Sequence, residues 1–304
     1  MFKNMIVLMI LCLIGIEGLA EETQHQQVVI TTLFPTYDFA RQIGQGKVNV
    51  SLLLPPGVEA HSFEPKPTDI VKLNHADFFI YTGRYMEPWV EKMLTSLSNP
   101  HLVIIDASEG IALIADEDEE DEAANPHEKD PHIWLDLANA QHMVDTIAHA
   151  LAKKDERNRA FYLDQARSYN AKLAALDARF QATLATAKYK TLIYGGHFVF
   201  GYFAKRYGLT YRSAYPGFSP NAEPSPKAIA ELIQQLQQSG LQVIYHEELL
   251  DPKVARIIAQ ETGARLELLH GAHNLSREEF SSGLTFLAIM EANLAKLKVG
   301  LVCQ

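Results

Sequence analysis

Histidine carries the chemistry of this chain: twelve occur in 304 residues, and five of them stand where loops should follow strands. His61 lies in Pro55-Pro56-Gly57-Val58-Glu59-Ala60-His61-Ser62-Phe63-Glu64-Pro65, and His132 in Asp130-Pro131-His132-Ile133-Trp134-Leu135-Asp136. His197 lies in Gly195-Gly196-His197-Phe198, and His270 and His273 in His270-Gly271-Ala272-His273-Asn274. Neutral imidazole is the commonest nitrogen donor to zinc, and three or four such donors suit a tetrahedral ion. A single histidine is more often a core or surface residue. Histidines from both halves, all at strand ends, point instead to one shared divalent metal.

The elements that must position them follow from hydrophobic patterning. Apolar, β-branched runs fall at Val28 to Leu33, Val48 to Leu54, Phe78 to Tyr81 and Leu102 to Ile105, and again at Thr191 to Tyr194, Val243 to Tyr245 and Leu266 to Leu269, with helix-compatible segments between them. Strands alternating with helices predict an α/β fold of two Rossmann-like lobes with mainly parallel sheets. Ligands of open α/β sheets bind at the carboxyl ends of the strands, where these histidines lie. Asp155 to Ala187 contains neither proline nor glycine, and Tyr162, Ala166, Tyr169, Leu173, Leu176, Phe180 and Leu184 recur at helical spacing. That predicts one long amphipathic helix, about 50 Å if unbroken, tying the lobes together. The expected division is a signal peptide over 1–20, a first lobe over 21–152 with an acidic loop at 116–130, a linking helix over 153–188 and a second lobe over 189–304.

Composition removes several partners. A formal charge of −10 argues against nucleic acid and against anionic lipid. The seven consecutive acidic residues Asp116 to Glu122 contribute most of it, since without them the charge is −3. Such a run is expected to be a solvated loop; the alternative reading, with His127, is a weak collector of cations. At the amino end, the apolar run from Met5 to Ile16, closed by Gly18-Leu19-Ala20, has the form of a cleaved secretory signal. Leu11, where a lipid-modified Cys12 would need a small residue before it, favours a free exported protein over an anchored one. Other motifs fail: His246-Glu247-Glu248 lacks the second histidine of a zincin helix, and no Walker or dinucleotide glycine pattern is present.

The histidine segments resemble the metal motifs of the zinc and manganese solute-binding proteins of ABC transporters, the cluster A-I or ZnuA-like family. Gly57 to Pro65, Asp130 to Asp136, and Gly196-His197-Phe198 with Gly201-Tyr202-Phe203-Ala204 correspond to three of them in order, and Glu223-Pro224-Ser225-Pro226-Lys227 to a further signature. The resemblance covers almost all of the chain after its first twenty residues. It implies a metal held between the lobes by His61, His132 and His197. In manganese-selective relatives the His197 position is often glutamate, so zinc is expected over manganese, as softer imidazole donors also favour. The fourth position, often a carboxylate in relatives, here offers His273, with His270, Glu59 or a water as alternatives.

The implied function is capture of the ion outside the cytoplasmic membrane, in the periplasm, and its delivery to an ABC permease, without catalysis and as a monomer. Glu64, Asp136 and Glu223 are the carboxylates expected to orient the imidazoles. A secreted zinc hydrolase, with Glu59 or Glu247 as base, and a surface adhesin with a structural metal are the competing functions.

Overall fold

The computed structural model describes residues 26–115, 129–197, 199–218, 221 and 223–304. The apolar amino-terminal stretch, the acidic run 116–122 and His127 lie outside the described residues. The first half runs β1 (Gln27–Thr31), α1 (Phe34–Gly44), β2 (Val48–Leu52), α2 (Pro67–Asn74), β3 (Phe78–Tyr81), α3 (Val90–Leu94) and β4 (Val103–Asp106). A 3-10 turn, Ile133–Leu135, then leads into α4 (Leu137–Lys154) and α5 (Arg159–Ala185). The second half runs β5 (Thr191–Tyr194), α6 (Gly201–Tyr207), β6 (Thr210–Ser213), α7 (Pro226–Ser239), β7 (Val243–His246), α8 (Lys253–Thr262), β8 (Arg265–Leu268), α9 (Arg277–Ser282) and α10 (Phe286–Gly300).

The strands form two four-stranded sheets of identical topology, β2-β1-β3-β4 and β6-β5-β7-β8, with every pairing parallel. The α/β class with two parallel sheets is therefore as the patterning predicts. In each sheet the chain leaves its first strand toward one side and later returns to the other, which opens a crevice at the carboxyl ends of the strands. Strand β6 was not predicted. It is an edge strand, Thr-Tyr-Arg-Ser, with Tyr211 buried between exposed Thr210 and Arg212, so a search for continuous apolar runs passes over it.

Helix α5 is shorter than the predicted 153–188 segment, about 40 Å for its 27 residues. Asp155 stops α4 because its carboxylate accepts from Asn158 Nδ2 and from the Tyr162 hydroxyl, both at 2.7 Å, instead of lying along a continuing helix. The seven predicted apolar positions of α5 are all buried. They lie in one core that includes Val29, Phe78 and Ile80 beside the first sheet and Leu192, Tyr194 and Ile244 of the second. Polar ties repeat the pattern. Tyr169 reaches Asp38 of α1 at 3.4 Å, while Asp177 accepts from Arg206 and Tyr207 of α6 at 2.5–2.8 Å. Among the described residues, no helix is long and apolar enough to cross a membrane.

Candidate metal centre

Three of the histidines are delivered by loops that follow strands, and His132 by the start of a helix. His61 sits in the loop after β2, where the Glu59 carboxylate accepts from the backbone N–H groups of His61 and Ser62 (both 2.8 Å) and from the Ser62 hydroxyl (2.6 Å). His132 precedes the 3-10 turn that opens α4. His197 follows β5, where a side chain on Gly196 would place its Cβ 2.4 Å from Glu247 Oε1, so glycine lets the loop close onto that carboxylate. His273 follows β8, and a Cβ on Gly271 would lie 2.7 Å from its ring, so glycine is again required.

These four imidazoles, from four separate segments, converge. Their six ring-centre separations are 5.4, 5.1, 5.7, 5.5, 5.0 and 5.5 Å, close to the equal edges of a tetrahedron. One ligand atom from each lies within 4.8 Å of all the others, and His61 Nε2 stands 3.4 Å from His132 Nε2. Zinc bonded to four tetrahedral nitrogens at roughly 2.0–2.1 Å holds them about 3.3 Å apart and their ring centres about 5.2 Å apart. The cage therefore has the size of one such ion. The Nε2 atoms of His197 and His273 are buried without a hydrogen-bond partner, donors that a metal would satisfy.

Three of the rings have a carboxyl group behind them, hydrogen-bonded at His132 and His273 and in close contact without a hydrogen bond at His197. Asp130 Oδ1 lies 2.7 Å from His132 Nδ1, Glu247 Oε2 lies 2.5 Å from His197 Nδ1, and Glu248 Oε1 lies 3.0 Å from His273 Nδ1. A carboxylate at Nδ1 fixes the tautomer that presents Nε2 to a metal and raises its basicity. Electrostatics keeps the rings ready to ligate. Burial, then the neighbouring imidazoles of His197 and His273, pushes His61 down to about 3. Burial and then His273 push His197 down to about 3 as well, and His132 is lowered well below its ordinary value by burial first. Burial, reinforced by Glu248, pushes Glu247 up to about 8. Burial would also raise Glu248, but His270 and His273 outweigh it and hold it well below the usual carboxylate range.

The structure changes the reading of several candidates. His270 is outside the cage: its Nδ1 accepts from the backbone N–H of Ala272 at 2.9 Å and lies 3.5 Å from Glu248, with Glu279 on its other side. Glu59 is engaged by its own loop. Of the three expected orienting carboxylates, Glu64 and Glu223 are exposed. Asp136 caps α4 through the N–H of Ala138 at 2.8 Å and pairs with Arg206 at 3.0 Å. The carboxylates that do reach the rings are Asp130, Glu247 and Glu248. Asp130 stands within the predicted acidic loop, yet it is fully buried, its Oδ1 hydrogen-bonded by the backbone N–H of His132 at 2.9 Å and by the ring Nδ1 at 2.7 Å. Glu247 and Glu248 follow β7, so the strand-end argument applied to the histidines, extended to carboxylates, would have found them. The Glu223 to Lys227 signature is a helix start: Ser225 caps α7 through the N–H of Ala228, with Pro226 at the first position.

Residues 29–300 match the family model described as zinc-uptake complex component A, periplasmic. The chain belongs to this family of solute-binding transport proteins. It is 38% identical over 294 residues to the high-affinity zinc uptake system protein ZnuA of Bacillus subtilis, covering 95% of this chain and 92% of that one. Among solved structures it resembles the Zn(II)-bound ZnuA-like domain of Streptococcus pneumoniae AdcA, with TM-score 0.77, 30% identity and coverage of 91% and 99% of the two chains. A similar fold is found in the laminin-binding protein of Streptococcus agalactiae, described as bifunctional with adhesin and metal-transporting activity: TM-score 0.80, 26% identity, and coverage of 91% and 99%.

Proposed function

We propose that this family member captures a zinc ion through His61, His132, His197 and His273 and delivers it to the permease of an ABC transporter. The observation that carries this reading is the near-regular tetrahedron of four imidazoles, three of them backed by a buried carboxylate. An all-nitrogen, four-coordinate cage suits zinc better than manganese, which prefers oxygen donors and higher coordination. On this reading the protein is exported by cleavage of residues 1–20, acts as a monomer in the periplasm, and carries its ion between a first lobe over 21–152 and a second over 189–304.

A zinc hydrolase needs a fourth position left to water, with a base beside it. Two features support transport instead: His273 fills the fourth corner, and Glu247 lies against the back of His197. An adhesin role has support in the laminin-binding relative, but that protein is itself described as transporting metal.

The test is isothermal titration of metal-free protein with zinc and with manganese, repeated on His197→Ala and His273→Ala. One saturable zinc site is expected, weakened at least about tenfold in each variant. Absence of stoichiometric binding by either cation would sink the transport reading, and binding of manganese alone would reverse the choice of metal.

A further inference from the structure

The loop that carries His273 is bonded to both halves of the molecule. From the second half, Glu248 accepts the backbone N–H groups of Gly271 (2.7 Å) and His273 (3.1 Å), and Asn293 exchanges two hydrogen bonds with the backbone of His270 at 3.0 and 2.8 Å. From the first half, the Trp134 indole donates to the Gly271 carbonyl at 2.7 Å. The N–H of Phe34 donates to the His273 carbonyl at 3.2 Å, and that of Gly57 to the Leu275 carbonyl at 2.7 Å. Asn274 completes the brace. Its fully buried amide donates to the carbonyls of Pro55 (2.8 Å) and Val58 (2.9 Å), both in the loop that carries His61. One side chain, adjacent in sequence to His273, is thus bonded to the segment that presents another member of the cage. Within the loop Ala272 holds φ at +58°, a conformation that a non-glycine residue keeps where its surroundings over-determine it.

The His197 loop is held differently. Among the described residues, its hydrogen bonds are made with Glu247 Oε1 (3.3 Å to the His197 N–H), with the Tyr211 hydroxyl (3.0 Å to the His197 carbonyl) and with Ser213 Oγ (2.5 Å to the Gly196 carbonyl), all in the second half. We propose that Asn274 and Trp134 are positioning residues for metal capture. They keep His61, His132 and His273 assembled as a trio before the ion arrives, and His197 is the ligand whose movement admits and releases it. This deepens the zinc-capture reading and rests on it. Buried hydrogen bonds that cross between the halves make a wide hinge opening costly, since each would have to be broken without a replacement partner. Displacement of one ring breaks none of them.

The experiment is amide hydrogen exchange on the full chain, without metal and with zinc, together with zinc release rates for Trp134→Phe and Asn274→Ala. In the metal-free protein the amides of Gly57, Gly271 and His273 are expected to be protected already, and zinc to change them less than about threefold, while those of His197 and Val199 slow about tenfold or more. Both variants should release zinc about tenfold faster, at full stoichiometry. Exchange should quicken at Gly57, Gly271 and His273 and be unchanged in β5 and β7, which a general loss of stability would not spare. Trp134→Phe keeps an aromatic ring beside His132 and His273 but removes the N–H donor together with part of a fully buried indole, so its effect includes a packing loss; Asn274→Ala, which leaves that aromatic packing in place, tests the brace without it. Rapid exchange at Gly271 and His273 without metal, with protection arriving there and at His197 together, would overturn the proposal, as would unaltered zinc release in both variants. A failure to bind zinc at all would defeat the transport function, whereas the metal-free exchange pattern decides the brace separately.

Discussion

Glu248 serves His273 twice: its Oε1 lies 3.0 Å from the ring Nδ1 and 3.1 Å from the backbone N–H of the same residue. Its other oxygen accepts from Gly271, so one carboxylate sets both the ring and the turn that carries it. An amide cannot reproduce this, because half of its polar surface donates. Glu248→Gln should therefore weaken zinc binding about 10- to 100-fold. Competition with a chelator of known affinity measures it, and an unchanged dissociation constant would remove Glu248 from the site's working parts.

The buried imidazoles make metal-free stability depend on pH. His197 is 1% exposed, and burial, then His273, holds it down to about 3, against about 6.5 for a free imidazole. The unfolded chain takes up this proton as pH falls through about 6.5, while the folded chain does so only near 3. Stability is whole above about pH 6.5 and declines below it by about 1.4 kcal/mol per pH unit for this group. His61 and His132 act in the same direction. Glu247, pushed up to about 8, works in the opposite sense over the same range, so the sign is read from a difference: between about pH 7 and pH 5 the denaturant midpoint of His197→Asn should fall less, or rise more, than that of the unaltered protein. Equal slopes in both proteins would contradict the assignment.

Stripping the ion should leave the fold intact. The apolar core runs through both halves, and its burial does not wait for a metal. Chelated protein should keep its far-ultraviolet circular dichroism, and added zinc should raise the unfolding free energy by about 2.7 kcal/mol at a free concentration one hundred times the dissociation constant. Collapse of the secondary structure on chelation would instead mark a structural metal.

Asp136 should matter to stability and not to zinc. It caps α4 and pairs with Arg206, so Asp136→Ala should cost about 0.5–2 kcal/mol of folding free energy. The zinc dissociation constant should stay within about twofold, and Glu64→Ala and Glu223→Ala, on exposed side chains, should alter neither quantity by more than about 0.5 kcal/mol. A zinc defect in Asp136→Ala would restore the role inferred from sequence proximity.

Local pattern alone determined much of this protein. β-branched runs marked seven of the eight strands among the described residues, and the 3.6-residue period marked the buried face of α5, because both signals are written in neighbouring residues. The four histidines were legible for a related reason: parallel strands deliver their following loops to one edge, so strand ends predict convergence. Which groups stand behind the rings was decided by tertiary structure. Asp130 reads as the end of an acidic run and Glu247-Glu248 as an incomplete zincin motif, and only the packing of β7 against β5 and β8 brings the latter pair to His197 and His273. Strand-end position alone does not separate His270 from His273; it was the family resemblance that favoured His273. A glycine without room for a side chain, a left-handed Ala272 and the amide of Asn274, bonded to carbonyls more than two hundred residues away, turn one ring into the cage and the other out of it. Such choices depend on distances between segments far apart in the chain, which no local spacing encodes.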